Sequence, residues 1–231
     1  MADINNHTPL PEEFKMRSRA LFDNEEEFGR FLSSLEEGDA VRALRINTLK
    51  VSDAAAKRLI SSMGLVPLGY GSGYIFESAA PGSMPMHHAG AFYVQDPGAM
   101  STVAAAESVI SPDLRILDMC ASPGGKSTQL AALLTNGGSG YLVSNEIDRS
   151  RAKILRGNTE RMGHRRTVVT SAAPDRIAED FESVFDYVLV DAPCSGEGMM
   201  RKYAEASAQW SEENVLMCAE RQRGILEAAQ R

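Results

Sequence analysis

The sequence predicts an α/β protein: a parallel sheet with helices on both faces from residue 113 onward, preceded by a small α+β module over residues 1–112. Three observations carry this. From Leu114 the apolar runs alternate with amphipathic stretches in a strand–helix rhythm, the pattern of a parallel sheet. Two of those runs, Leu114 to Leu117 and Phe185 to Val190, each lead into a turn crowded with reactive or conformationally special residues. Before Ser111-Pro112-Asp113 the rhythm is different, with one long helical pattern and then short strands broken by Gly and Pro.

Taken in order, Phe14, Leu21, Phe28, Phe31, Leu32 and Leu35 recur at helical spacing, so Pro11 to Glu36 is predicted as helix, stopped by Gly38. Val41 to Asn47 reads as a strand, and Ser52 to Met63 as a helix capped by Ser52 and ended by Gly64. Residues 65–95 hold short strands interrupted by Gly69, Gly71, Gly73, Pro81 and Pro85, and Pro97 to Ile110 is a helix of small residues. Strands follow at 114–118, 140–145, 166–170 and 185–190, separated by helices near 125–135, 148–162 and 211–230. The pattern reaches Arg231 while still helical, without a Gly or Pro terminator, and reads as a sheet truncated after four strands.

Composition narrows the function classes. With 43% hydrophobic and 24% charged residues, the 231-residue chain has an ordinary globular composition. No apolar run is long enough to span a bilayer, and the start lacks the basic and apolar blocks of a signal peptide. Three irregularly spaced cysteines make no disulfide framework, which suits a reducing cytoplasm. The net charge of −7 argues against a freestanding polyanion binder. Residues 1–113 hold 9 Lys+Arg against 15 Asp+Glu, and the remainder 15 against 16, so the acidity lies in the first half. Arg149, Arg151, Lys153, Arg165 and Arg166 are basic groups that either face RNA or serve as solvated surface charge. His87-His88 has no acid or cysteine at metal-ligand spacing, so no metal is expected.

The first loaded turn is Asp118-Met119-Cys120-Ala121-Ser122-Pro123-Gly124-Gly125-Lys126-Ser127. Paired glycines let a ligand approach the backbone, and the helix that follows offers free N–H groups to a negative group. Lys126 adds a charge. A P-loop would need Gly where Cys120 stands, so a small carboxylate fits this turn better than a nucleotide phosphate. Glu146 ends the next strand, placed either to accept from a ribose diol or to cap the helix near Asp148. At the third strand end only Ser171 and Asp175 offer side chains to a ligand. The second loaded turn, Asp191-Ala192-Pro193-Cys194-Ser195-Gly196-Glu197-Gly198, sets an acid and a thiol three residues apart. Cys218 lies on the terminal helix and is expected in the core.

Together these turns resemble the RNA cytosine-5 methyltransferases of the Sun (Fmu) family, nearest to its bacterial ribosomal-RNA small-subunit methyltransferase F type. Leu10-Pro11-Glu12-Glu13-Phe14, Leu44-Arg45-Ile46-Asn47-Thr48-Leu49-Lys50 and Tyr93-Val94-Gln95-Asp96-Pro97 are similar to that type's N-terminal module. The resemblance implies a Rossmann-type methyltransferase domain over 113–231 that binds S-adenosylmethionine and modifies RNA, ribosomal RNA ahead of transfer RNA. By it, Cys120, Ala121, Ser122, Pro123, Gly124, Gly125 and Lys126 form the cofactor loop, Glu146 holds the ribose, and Ser171 is the side chain left for the adenine. Asp191 is implied at both the cofactor and the reacting base.

In that chemistry a thiolate adds to carbon 6 of a flipped-out cytosine, making carbon 5 nucleophilic, while an acid near N3 stabilises the adduct. The resemblance implies that the attacking thiol comes from a Thr-Cys segment after the next strand, and that Cys194 instead assists release of the product. No Thr-Cys pair occurs in this sequence. Two alternatives stay open: a DNA cytosine methyltransferase in which Cys194 is itself the nucleophile, and a non-catalytic module binding S-adenosylmethionine or RNA. The oligomeric state is not legible.

Overall fold

The computed structural model describes residues 9–36, 41–77, 80–135 and 137–231. In chain order the helices and strands are α1 (Glu12–Arg19), α2 (Glu25–Glu36), β1 (Ala43–Ile46), α3 (Asp53–Met63), β2 (Val66–Pro67), β3 (Gly73–Ile75), α4 (Pro85–His88), β4 (Phe92–Val94) and α5 (Pro97–Ala106). There follow β5 (Arg115–Asp118), α6 (Gly125–Leu133), β6 (Tyr141–Asn145), α7 (Arg149–Met162), β7 (Thr167–Thr170), α8 (Pro174–Asp180), β8 (Tyr187–Leu189), α9 (Ala204–Ala208) and α10 (Glu212–Ala229). By contacts the chain divides into two units, one of residues 1–40 and 193–224, the other of 41–192 and 225–231.

The second unit holds both sheets. The first sheet is antiparallel in the order β2-β3-β1-β4. Its core of Leu44, Ile46, Leu59, Leu65, Phe76 and Phe92 includes Leu59 from α3. That helix begins at Ser52, whose side chain accepts from the Ala55 amide, and ends at Gly64 in the left-handed region, as its sequence predicts.

The second sheet is wholly parallel in the order β7-β6-β5-β8. Its strands alternate faces. Ile116 and Leu142 pack with Val103, Leu130 and Leu134 of the α5–α6 side, and Leu117 and Val143 pack with Ile177 of α8 and Ile225 of α10. This confirms the predicted α/β class with helices on both faces. The chain runs outward from β5 through β6 to β7, then returns to pair β8 on the other side of β5. That reversal makes the carboxyl ends of β5 and β8 the topological switch point, where such sheets bind ligands.

The first unit is helical, with a cluster of Leu10, Phe14, Met200 and Trp210, joined by Phe31, Leu32 and Leu35. Phe14 meets the Trp210 ring edge-on at 5.6 Å.

The sequence expectation of one helix over Pro11–Glu36 is corrected: α1 stops at Arg19 and α2 starts at Glu25. Asn24 accepts from the Glu27 amide, and Arg19 bonds Glu25 at 2.8 Å and the Phe22 carbonyl at 2.7 Å across the break. A local Asn cap outcompetes continuation of the helix there. The predicted stop at Gly38 lies outside the described residues. Helices α4, α8 and α9 are additions that the periodicity, over four to seven residues each, was too short to signal.

Candidate active site at the switch point

Both loaded turns leave the same edge of the parallel sheet, after β5 and after β8. The turn after β5 is held on both sides, because the Met119 amide donates to Leu189 O at 2.9 Å and the Ala121 amide to Asn145 O at 2.8 Å. Asn145 ties three strand ends together. Its Nδ2 donates to the Met119 and Ala172 carbonyls, and its Oδ1 accepts from Thr170 Oγ1 and the Ala172 amide.

Gly124 caps α6 at φ +111°, a conformation that excludes side chains with little strain only for glycine. A Cβ there would lie 3.1 Å from Leu155 Cδ1, so the turn sits directly on α7. The Pro123 carbonyl accepts from Asn158 Nδ2 at 2.8 Å and from Tyr93 Oη at 3.1 Å. Ser122 is tied twice to Arg151, Oγ to its carbonyl and O to its guanidinium. These contacts fix a preformed cradle whose first helical amides point away from the strand ends' own ladder.

Lys126 is mostly buried and its Nζ lies 2.6 Å from Asp191 Oδ2, joining the two loaded strand ends across the switch point. Behind them Asp118, only 1% exposed, accepts from Ser127 Oγ at 2.6 Å while its Oδ1 has no hydrogen-bond partner. Burial pushes the Asp118 carboxyl up to about 6, against the lowering influence of Ser127 and Lys126. Glu146, 3% exposed, accepts from the Asp148 amide at 3.0 Å and lies 3.4 Å from Arg151. The cap of α7 is Asp148, not Glu146: its side chain accepts from the Arg151 amide. Glu146 therefore keeps carboxylate lone pairs for a ligand.

Of the remaining sequence candidates, Ser171 is exposed, its Oγ 3.4 Å from the Ile147 carbonyl, whereas Asp175 is paired to Arg231. Cys120 is half-buried, and burial followed by the charges of Asp118, Glu146 and Asp191 raises its thiol to about 11. Cys194 is exposed and falls in the helical unit. The turn around it is set there by Gln222 Nε2 on the Pro193 carbonyl, by Gly196 at φ +80°, and by Trp210 Nε1 on Glu197 at 3.0 Å. Cys218 is buried, as expected. Among the described residues no group of His, Cys, Asp and Glu could hold a metal ion, and no helix is long and apolar enough to cross a membrane.

Sequence reasoning did not foresee the support under this cradle. Arg45, 3% exposed in β1, reaches Thr128 Oγ1 at 2.7 Å and the Gly125 carbonyl at 3.4 Å, with Gln95 Oε1 at 3.4 Å. Gln95 continues to Gln129, whose Nε2 donates to the Met100 carbonyl. Burial lowers the Arg45 guanidinium to about 10. The available signal was an arginine at a core position of an apolar strand, Ala43–Ile46.

This parallel sheet, its glycine turn and the acid-loaded switch point define a Rossmann-type methyltransferase. Residues 109–231 match the family described as 16S rRNA methyltransferase RsmB/F, and residues 10–97 match the N-terminal domain of 16S rRNA methyltransferase RsmF. The chain belongs to the RsmB/F family of 16S rRNA methyltransferases. It is 36% identical over 228 residues to the ribosomal RNA small subunit methyltransferase F of Salmonella paratyphi B and of Salmonella newport, covering 95% of this chain and 47% of each relative. The chain thus spans about half the length of the curated relatives it matches. The crystal structure of PH0851 superposes with a TM-score of 0.83 at 25% identity, over 96% of this chain and 50% of that one. NSun6 from Pyrococcus horikoshii, solved with SFG, shares the fold with a TM-score of 0.79 at 18% identity, over 96% of this chain and 80% of that one.

Proposed function

We propose that the chain is a cofactor-binding and substrate-orienting portion of an S-adenosylmethionine-dependent enzyme that methylates carbon 5 of cytosine in RNA, ribosomal RNA in preference to transfer RNA. The observation that carries this reading is the Lys126–Asp191 pair at 2.6 Å, which couples a cofactor cradle to an acid at the adjacent strand end. The residues present fit the cofactor. The Gly124 cradle and the first turn of α6 suit its carboxylate, the buried Glu146 suits a ribose diol, and Ser171 is the side chain at hand for the adenine. When bound, S-adenosylmethionine supplies an electrophilic methyl group.

The chain's own residues set up the acceptor. Asp191, its carboxylate oriented by Lys126, holds the base at N3, and Cys194, three residues on, assists elimination after methylation. Cys120 is excluded as a nucleophile by its raised thiol, since the thiolate is the attacking form. The sequence holds no Thr-Cys pair, so on this reading the 231 residues bind the cofactor and do not themselves transfer the methyl group. We keep 1–112 and 113–231 as the functional modules, which the separate family matches over 10–97 and 109–231 support. The proposed location is the cytoplasm, where an exposed thiol such as Cys194 stays reduced.

The test is calorimetry with S-adenosylhomocysteine on the wild-type chain and on Glu146→Ala. The wild type is expected to bind and the variant to lose about tenfold or more, the loss of hydrogen bonds to a charged group. Equal affinities would remove Glu146 from the site, and no binding by the wild type would overturn the reading.

A further inference from the structure

A second polar recess lies at the opposite edge of the parallel sheet, where β7 begins, α6 ends and α7 turns back. It is a cleft of about 440 Å³, within the range of small-molecule sites, about 300–1,000 Å³. Leu49, Ala131 and Leu134 form an apolar wall, and His164, Arg165, Arg166 and Thr167 a polar one.

Its polar wall is unsatisfied. His164 is 8% exposed, and neither Nδ1 nor Nε2 has a hydrogen-bond partner; Thr167 Oγ1 is buried without one as well. Buried polar groups are ordinarily paired, and an imidazole with both nitrogens orphaned costs stability unless something occupies the space before it. Burial, with Arg45 and Lys50 nearby, lowers His164 to about 4, so at neutral pH it is an uncharged ring that donates from one nitrogen and accepts at the other.

The surrounding cations divide by role. Lys50 is spent on structure, donating to the Arg161 carbonyl at 2.7 Å and the Ala89 carbonyl at 3.1 Å at the end of α7. Arg166 bonds the Gly138 and Gly140 carbonyls through Nη1. Arg165 is exposed at the mouth. The recess therefore combines an apolar wall, a neutral donor–acceptor edge and a cation at the rim. That is the chemistry of a nucleobase with its phosphate: the base edge on His164 and Thr167, its face on Leu49, the phosphate at Arg165.

We infer that this cleft is a nucleotide subsite, seating one unit of a single RNA strand on the side of the sheet away from the cofactor cradle. The inference rests on the RNA reading above and adds where a strand is gripped apart from the reacting cytosine.

The test uses the full 231-residue chain with ¹⁵N-labelled histidine, since the sequence has 4 His and the His164 ring can be followed by NMR. The probes are cytidine and adenosine 5′-monophosphate, inorganic phosphate, and a single-stranded oligoribonucleotide. Nucleotides are expected to shift the His164 ring signals saturably and inorganic phosphate to leave them in place. The oligoribonucleotide is expected to do the same at lower concentration, and Arg165→Glu, at an exposed position, to weaken it about tenfold. His164 signals unmoved by every nucleotide, or moved equally by phosphate alone, would overturn the inference in favour of a hydrated pocket or a simple anion site. Oligoribonucleotide binding with silent His164 signals would remove the cleft and leave the RNA reading standing. Shifts with mononucleotides but none with the oligoribonucleotide would keep a nucleotide site and overturn the strand. Binding of S-adenosylhomocysteine, measured in parallel, reports on the cofactor reading independently.

Discussion

Asp118 and Glu146 are both buried carboxylates at adjacent strand ends, yet their surroundings treat them differently. Glu146 has an amide and a guanidinium beside it, whereas one Asp118 oxygen has no partner and burial holds its carboxyl up at about 6. An acid raised in the folded state is neutral in both states at low pH and contributes no penalty there. As pH climbs from about 4 to 6 the unfolded chain ionises first, so stability is lost as pH rises through this window, by about 2–3 kcal/mol at neutrality. Asp118→Asn, which keeps an acceptor for Ser127, is expected to gain on the wild type by that amount between pH 4 and 7 in urea unfolding. Taking the difference cancels shared groups such as Asp186, whose carboxyl the Arg115 pair holds down at about 2. A difference that stays flat with pH would show that Asp118 ionises normally. The three thiols make a second test at this scale. At neutral pH a maleimide should label the exposed Cys194 first, with Cys120 resisting because its thiol is raised and half-buried, and Cys218 because it is buried. Mass spectrometry of the labelled peptides gives the order, and faster labelling of Cys120 would contradict it.

At the scale of elements, the sequence exposed what is periodic or capped and concealed what is held by tertiary contacts. The four parallel strands and α3, α6, α7 and α10 were legible because alternation and caps such as Ser52, Gly64 and Asp148 are local signals. The break between α1 and α2 was not, because Leu21, Phe28 and Phe31 keep a helical spacing across it while Asn24 turns the chain. Glycine turn, Lys126, Glu146 and Asp191 were all placed correctly at one sheet edge, but the Lys126–Asp191 pairing across β5 and β8 depends on strand order, which spacing does not encode. The same is true of Arg45, whose partners on α6 lie some eighty residues away, at Gly125 and Thr128. Arg45→Met would strand those acceptors and remove the link from β1 to the cradle's helix. We expect a loss of about 2–4 kcal/mol in urea unfolding, the usual cost of breaking a buried charged network. Gly124→Ala belongs to the same element: at φ +111° and 3.1 Å from Leu155 a methyl group is strained, at a cost of about 1–3 kcal/mol. An unchanged unfolding midpoint in either variant would show that the cradle is not braced as described.

For the whole molecule, the charge distribution and the cysteine inventory set what the chain does with RNA. A net charge of −7 leaves little long-range attraction for a polyanion, so binding depends on a few local cations such as Arg165 and should weaken steeply as salt rises. Tight, salt-insensitive binding to a ribosomal RNA fragment would contradict that. The covalent chemistry is decided by which thiol attacks carbon 6. If Cys194 assists elimination, as proposed, the 231-residue chain should transfer no methyl group and form no adduct with RNA carrying 5-fluorocytosine. Fluorine cannot leave carbon 5 as a proton does, so an enzyme that attacks and methylates such a base stays bound to it. In a chain that also carries a Thr-Cys segment, the adduct should form and depend on that cysteine. There, Cys194→Ala should accumulate a covalent complex even with ordinary RNA, because attack proceeds while release is blocked. Denaturing electrophoresis separates the cases. An adduct formed by the 231 residues alone and abolished by Cys194→Ala would make Cys194 the nucleophile, and Asp191 with Lys126 would then serve a complete catalytic site.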